Sequence, residues 1–147
     1  MILEITTDND LVKSIMTDSD IWDKIEVDNI KSDDLIVNLP KNMMALTAKV
    51  KDVIGIHLFK EDSDRVVYHP MLLKPFRKEF GREFFDKGIK WLFDNTSFNF
   101  IDVEIPATHK STINLARHLN FKDSGIKKDG VFHKGQFLDL QLLRLER

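Results

Sequence analysis

Between residues 78 and 93 the chain reads KEFGREFFDKGIKWLF. Phe80, Phe84, Phe85, Ile89, Trp91, Leu92 and Phe93 fall there at helical spacing, on one broad apolar face. A face that wide must be covered by another layer. Candidate cover lies on both sides. VVYHPMLL (66–73) reads as a strand, and so does NFIDVEI (99–105), which Pro106 stops. Upstream, ILEI (2–5), MMALTAKV (43–50) and VIGIHLF (53–59) are further strand candidates, the last two joined by a tight turn at Lys51–Asp52.

Helix starts are expected at Thr7 with Asp10, before Leu11, Val12, Ile15 and Met16, and at Thr17 with Asp20, before Ile21, Trp22 and Ile25. Residues 28–40 are ambiguous, and LIVNLP within them could be a strand ending at Pro40. Across the EDSDR turn, pairing Glu61 with Arg65 would set His57 opposite His69, and a slip of one residue would abolish that pairing. Thr108 can cap a helix over 109–119 with Ile113, Ala116 and Leu119 inward, and Asn120 just past its end suits a left-handed backbone. Residues 121–128 and 137–145 read as closing strands joined by a DGVFHKG turn region. The order predicts one domain over 1–147, an α/β mixed, twisted sheet with helices on both faces and the 78–93 helix packed on one of them.

Charge is unevenly spread. Residues 1–40 hold ten acids against three lysines, and the remainder holds 19 basic and 14 acidic residues. An anionic ligand is therefore sought in the later part and a cationic one near the start. The slightly negative net charge and the lack of an aromatic–basic RNA motif argue against nucleic-acid binding. With five scattered His, no Cys and no HExxH, no metal site is expected. No apolar run approaches the ~18 residues of a membrane span, and the opening MILEITTDND lacks a basic n-region and a small-residue cleavage site. A cytoplasmic protein is expected. The absence of Cys fits a reducing compartment.

The stretch HKSTINLARHLNF (109–121), followed by KDSGIKKDGVFHKGQFLDLQLLRLER, resembles the GCN5-related N-acetyltransferase (GNAT) family, and the element order resembles that family over nearly the whole chain. Members of the ribosomal-protein-acetylating type often read N-x-x-S-x-x-x-x-x-x-x-G-F here, then a Gly and a basic residue, then a late Asp. Thr112 stands at the Ser position, and Phe121, Gly125, Lys127 or Lys128, and Asp139 match. His109 replaces the usual Asn and Asn120 the usual Gly, while Ala116 occupies the place where many relatives carry a Tyr proposed as general acid.

The resemblance implies a mostly antiparallel GNAT-like sheet and binding of acetyl-CoA after the fourth strand. The cofactor's pyrophosphate would lie on backbone N–H groups at a helix start, in a loop of the form [QR]-x-x-G-x-[GA]. Here that loop is KPFRKEFGREFF (74–85). Aligned on Gly81 it reads Lys78-x-x-Gly81-x-Glu83; aligned on Arg77, Phe80 takes the first Gly place. Lys74, Arg77, Lys78 and Arg82 supply charge in place of glycines. The cofactor-binding residues implied are Leu72, Leu73, Arg77, Lys78, Phe80, Gly81, Arg82 and His109. Transfer to a primary amine needs a base, and Glu104, His69 and His57 are the candidates. The degenerate loop also resembles small GNAT-like proteins of tailed bacteriophages. That likeness implies an alternative: a weakly active or inactive protein with an interaction or head-assembly role and a viral structural partner, located in the host cytoplasm or the virion. An active enzyme needs an open cleft between 66–73 and 99–105, which Phe76, Phe80 or Met71 would fill in a silent one.

Overall fold

The computed structural model describes residues 1–25 and 30–147. Seven strands form one sheet in the order β1-β2-β3-β4-β5-β7-β6. They are β1 (Ile2–Thr6), β2 (Met43–Lys49), β3 (Val53–Asp62), β4 (Arg65–Leu72), β5 (Phe100–Pro106), β6 (Lys122–His133) and β7 (Gln136–Glu146). Neighbours run antiparallel except β4 and β5, which run parallel. The sheet is therefore mixed and mostly antiparallel. Helices α1 (Asn9–Met16) and α2 (Ser19–Ile25) cover one face, where Val12, Ile15 and Ile21 pack on Ala45, Ile56, Leu58 and Met71. Helices α3 (Arg77–Asn95) and α4 (Lys110–His118) cover the other, over a core that includes Leu46, Phe59, Val66, Tyr68, Ile101 and Leu143.

The apolar face of α3 resolves into a buried spine of Phe84, Gly88 and Leu92, one turn apart, with Phe80, Phe85, Ile89, Trp91 and Phe93 half-buried around it. Gly88 is required by close approach. A Cβ there would sit 2.5 Å from Nδ1 of His57, whose ring stacks on Phe84 at 3.9 Å between centroids.

Several local expectations are corrected. The caps of α1 and α2 are Asp8 and Asp18, one residue beyond each expected Thr. Asp8 accepts from the N–H groups of Asp10 and Leu11 at 3.1 Å, and Asp18 from those of Asp20 and Ile21 at 3.1 and 3.4 Å. Aspartate is at least as good a cap as Thr, and its charge favours the positive end of the helix dipole. Thr17 instead closes α1, donating its hydroxyl to Lys13 O at 2.7 Å. LIVNLP forms no strand; a 3-10 turn (Ser32–Asp34) precedes it, and residues 28 and 29 of the ambiguous region lie outside the described residues. The N-cap of α4 is His109 rather than Thr108, with no side-chain capping bond. Asn120 does adopt the left-handed backbone, at φ 71°. The closing hairpin turns only at Lys134 and Gly135, so 129–133 belong to β6 rather than to a turn.

The register of β3 on β4 also differs by one residue. Asp62, not Glu61, stands opposite Arg65, and its carboxylate accepts from Arg65 Nη2 at 2.7 Å across the turn. His57 thus faces Pro70 and His69 faces Leu58. One residue of slip sends the two histidines to opposite faces of the sheet.

Candidate acyl-transfer site

The parallel ladder between β4 and β5 is short. Arg65, Val66 and Val67 pair with Phe100, Ile101 and Asp102, and no pairing continues between 68–72 and 103–106. β3 and β7 hold the outer sides of the two strands throughout, so the sheet splits between β4 and β5. The site is built around this split.

On the α1/α2 face, His69 of β4 and Glu104 of β5 flank the opening. His69 is exposed, yet the protein around its ring lowers its pKa, while Glu104 acts to raise it and Lys60 to lower it. Glu104 is half-buried, and Arg65 Nη1 lies 3.8 Å from its carboxylate. His57, the third expected base, is not at the split. It is fully buried under α3, with Nδ1 hydrogen-bonded to Tyr68 Oη at 2.7 Å and Nε2 without a partner, and burial pushes its pKa down to about 3. It is a neutral core residue that no substrate reaches.

Past the end of β4, Leu73 passes through a 3-10 turn (Lys74–Phe76) directly into α3. Leu72 is buried and its carbonyl accepts from Arg77 Nε at 2.9 Å; the Leu73 N–H donates to Ile54 O at 2.9 Å. The N–H of Phe76 goes to Leu73 O and that of Arg77 to Lys74 O. The turn therefore uses donors that a glycine loop would leave for a phosphate. Arg77 is not free either: its Nη2 pairs with the Asp20 carboxylate of α2, where Lys24 lies 3.7 Å away. Partial burial works to raise the pKa of Asp20, but the Arg77 hydrogen bond and the charges of Arg77, Lys24 and Lys74 outweigh it and hold it low.

What this end offers an anion is exposed side-chain charge. Lys74 and Lys78 are exposed, and so is Arg82, which pairs with Asp86 one turn on at 2.8 Å. Phe76 and Phe80 are half-buried against Ala48, Ile54, Leu72 and Phe84, and Met71 lies beneath α1 and α2. A Cβ at Gly81 would meet nothing within 4 Å, so no close backbone approach demands a glycine there. Burial lowers the pKa of His109 first, then the charges of His133, Lys24 and Lys134, with Asp23 opposing, so it belongs with α2 and the tip of the β6–β7 hairpin. Lys134 Nζ reaches Asp23 at 2.7 Å and ties that tip to α2.

The sequence reading missed Asp102. Nearly buried, it accepts from Arg144 Nε and Nη2 at 2.7 and 2.9 Å and from Arg65 Nη1 at 2.9 Å, bracing β4, β5 and β7 where the ladder ends. Burial works to raise its pKa, and the two guanidiniums hold it below the ordinary value. The alternation in IDVEI, which places Asp102 and Glu104 on one face, was the available signal. No cluster of three or more His, Asp or Glu able to hold a metal occurs among the described residues. A groove of about 390 Å³ between the end of β1 and Leu39–Lys41 has Lys41 as the only ionisable lining residue among the described residues and lies away from the split.

This architecture matches solved structures closely. Spermidine N-acetyltransferase from Vibrio cholerae, solved with CoA and spermine, superposes with a TM-score of 0.79 at 14% identity, covering 99% of this chain and 94% of that one. The ribosomal-protein-alanine N-acetyltransferase of Brucella melitensis gives 0.77 at 16% identity, covering 100% of both chains. The ribosomal-protein-S18-alanine N-acetyltransferase of Escherichia coli gives 0.72 at 13% identity, over 99% of this chain and 92% of that one. The fold is GNAT-like. No family model matches the chain, and no curated protein matches it in sequence. None of the three structures named is viral. No helix among the described residues is long and apolar enough to cross a membrane.

Proposed function

We propose that the chain is an N-acetyltransferase that moves an acetyl group from acetyl-CoA to a primary amine. The observation that carries this is the split between β4 and β5, with Glu104 and His69 on its lips and a basic helix start at its end. Acetyl-CoA is a substrate here. Its thioester would enter the split, and its phosphates would meet Lys74, Lys78 and Arg82, with Leu72, Leu73, Phe76 and Phe80 forming the apolar wall.

The amine nitrogen attacks the thioester carbonyl carbon; the C–N bond forms, the C–S bond breaks, and CoA leaves as a thiolate. The amine must first lose a proton. Glu104 takes it through water, and His69, with its lowered pKa, is a neutral second acceptor at pH 7. Ala116 is buried in α4 and offers no acid, so the thiolate takes its proton from water or from the amine.

Acetyl transfer to a panel of amines by the wild type, Glu104→Gln and His69→Ala tests this reading. A positioned base is worth ~10²–10⁴-fold, so Glu104→Gln should lower turnover at least tenfold. Equal rates in all three would remove both bases. The degenerate loop, with Phe80 or Glu83 standing where a small residue is usual, favours a second reading, a GNAT-like fold that has given up catalysis for an interaction or virion-assembly role with a viral structural partner. No transfer to any amine, with no acetyl-CoA binding, would favour it.

A further inference from the structure

The apolar cluster beneath α1 and α2 ends at Met71 of β4. Beyond it on the same face lies a pocket of about 210 Å³ lined by Arg65, Asp102, Glu104, Ser124, Leu142 and Arg144. We propose that this pocket binds an amine that carries its own carboxylate, a small amino acid, with the ammonium at Glu104 and the carboxylate at Arg144 and Ser124. The identity of the amine end rests on the acetyltransferase reading; the pocket itself does not.

Three observations support it. Asp102 fixes Arg144 by two hydrogen bonds, and the guanidinium also stacks over Phe100 at 4.4 Å, so it cannot swing away. Among the described residues its remaining Nη1 makes no hydrogen bond to protein, which leaves a donor on a braced cation. Ser124 is the extra residue of a bulge between Asp123 and Gly125 in β6, and bulges re-aim side chains. The bulge thus puts Ser124 in the lining of the same pocket as the guanidinium. Glu104, on the other side, meets Arg65 Nη1 at 3.8 Å, beyond hydrogen-bond distance, and keeps accepting capacity.

Two guanidiniums against two carboxylates leave the lining without net charge but with a free cationic end and a free anionic end. A polycation would meet Arg144 head-on, whereas a zwitterion offers each end its opposite. Pairing Asp102↔Arg144 and Glu104↔Leu142 makes Glu104 and Arg144 diagonal neighbours. Such neighbours lie roughly 7–8 Å apart along the sheet, within reach of a short chain. The volume is below the ~300–1,000 Å³ of drug-sized sites, which suits a molecule of a few heavy atoms.

The test is calorimetric titration of the protein alone with amino acids having one to four carbons between nitrogen and carboxylate, and with the same amines lacking the carboxylate. At least one amino acid should bind tenfold or more tighter than its carboxylate-free amine. Ser124→Ala, on the exposed bulge, and Arg144→Gln should each cut that preference at least threefold, and the plain amines should bind Arg144→Gln at least as well as they bind the wild type. Arg144→Lys, which keeps the charge, guards against a folding defect. Equal or tighter binding of the plain amines, or no binding by any of the panel, would overturn the proposal. If amines are acetylated with a preference that Arg144→Gln does not alter, the pocket assignment fails and the acetyltransferase reading stands. If an amino acid binds through Arg144 but acetyl-CoA never does, the pocket stands and the acetyltransferase reading fails.

Discussion

His57 sits where it cannot carry charge. With a pKa of about 3 in the folded protein against 6.5 in a free side chain, it takes up a proton far more readily when the chain unfolds. Stability owed to this group is complete above about pH 6.5 and drains as pH falls toward about 3, at up to roughly 1.4 kcal/mol per unit. Replacing both partners, His57→Phe with Tyr68→Phe, should flatten the stability profile between pH 6 and 4, measured by urea unfolding at each pH. An unchanged slope would show that His57 does not account for the loss in that window; the carboxylates Asp20 and Asp102, held low, act mainly at lower pH. Gly88→Ala should cost ~1–3 kcal/mol by driving a methyl into the His57 ring. None of this was legible from the sequence. A histidine in an apolar strand reads as half-exposed until the register is known, and the register turned on whether Glu61 or Asp62 met Arg65. Glu104 and His69 could be placed beside the split because they belong to strands whose identity was clear. Asp102 went unnoticed because its value lies in Arg65 and Arg144, distant in sequence.

At the scale of elements, α3 carries the fold. Phe84 is fully buried, so Phe84→Ala should cost ~3–5 kcal/mol in equilibrium unfolding, and a loss below about 1 kcal/mol would contradict the packing described. That helix was legible because seven apolar side chains repeat at one period. Its neighbours' starts were not, since Thr-Asp and Thr-Asp-Ser present two adjacent capping residues and only geometry chooses between them. The hairpin of β6 and β7 was legible as two strands but not in extent, because bulges at Ser124 and after Lys127 absorb residues that otherwise resemble a turn. The start of α3 has its own consequence. Arg77 braces α2 through Asp20, so its removal would weaken structure and ligand binding together. Lys78→Ala with Arg82→Ala is the cleaner pair, since both side chains are exposed. Acetyl-CoA affinity should fall in that variant with the unfolding midpoint little changed. Unchanged affinity would remove these side chains from the site.

For the molecule as a whole, element order was enough to read a mixed sheet with helices on both faces, and the three solved acetyltransferases named above share that architecture at 13–16% identity. The split was legible only as a consequence of that resemblance. Nothing in VVYHPMLL or NFIDVEI says that pairing stops at Val67 and Asp102. Strand pairing stops between β4 and β5, and the 3-10 turn takes backbone donors, so in the proposed reading phosphate binding would fall to lysines and an arginine. A cofactor site of that kind works through side-chain charge and should be correspondingly sensitive to salt. Calorimetric titration of acetyl-CoA into the wild-type protein, at low and at high salt, tests this most directly. Saturable one-to-one binding that weakens as salt rises, with a stabilisation of about 2.7 kcal/mol at a hundredfold excess over Kd, is the expected result. No heat and no stabilisation at millimolar acetyl-CoA would contradict it.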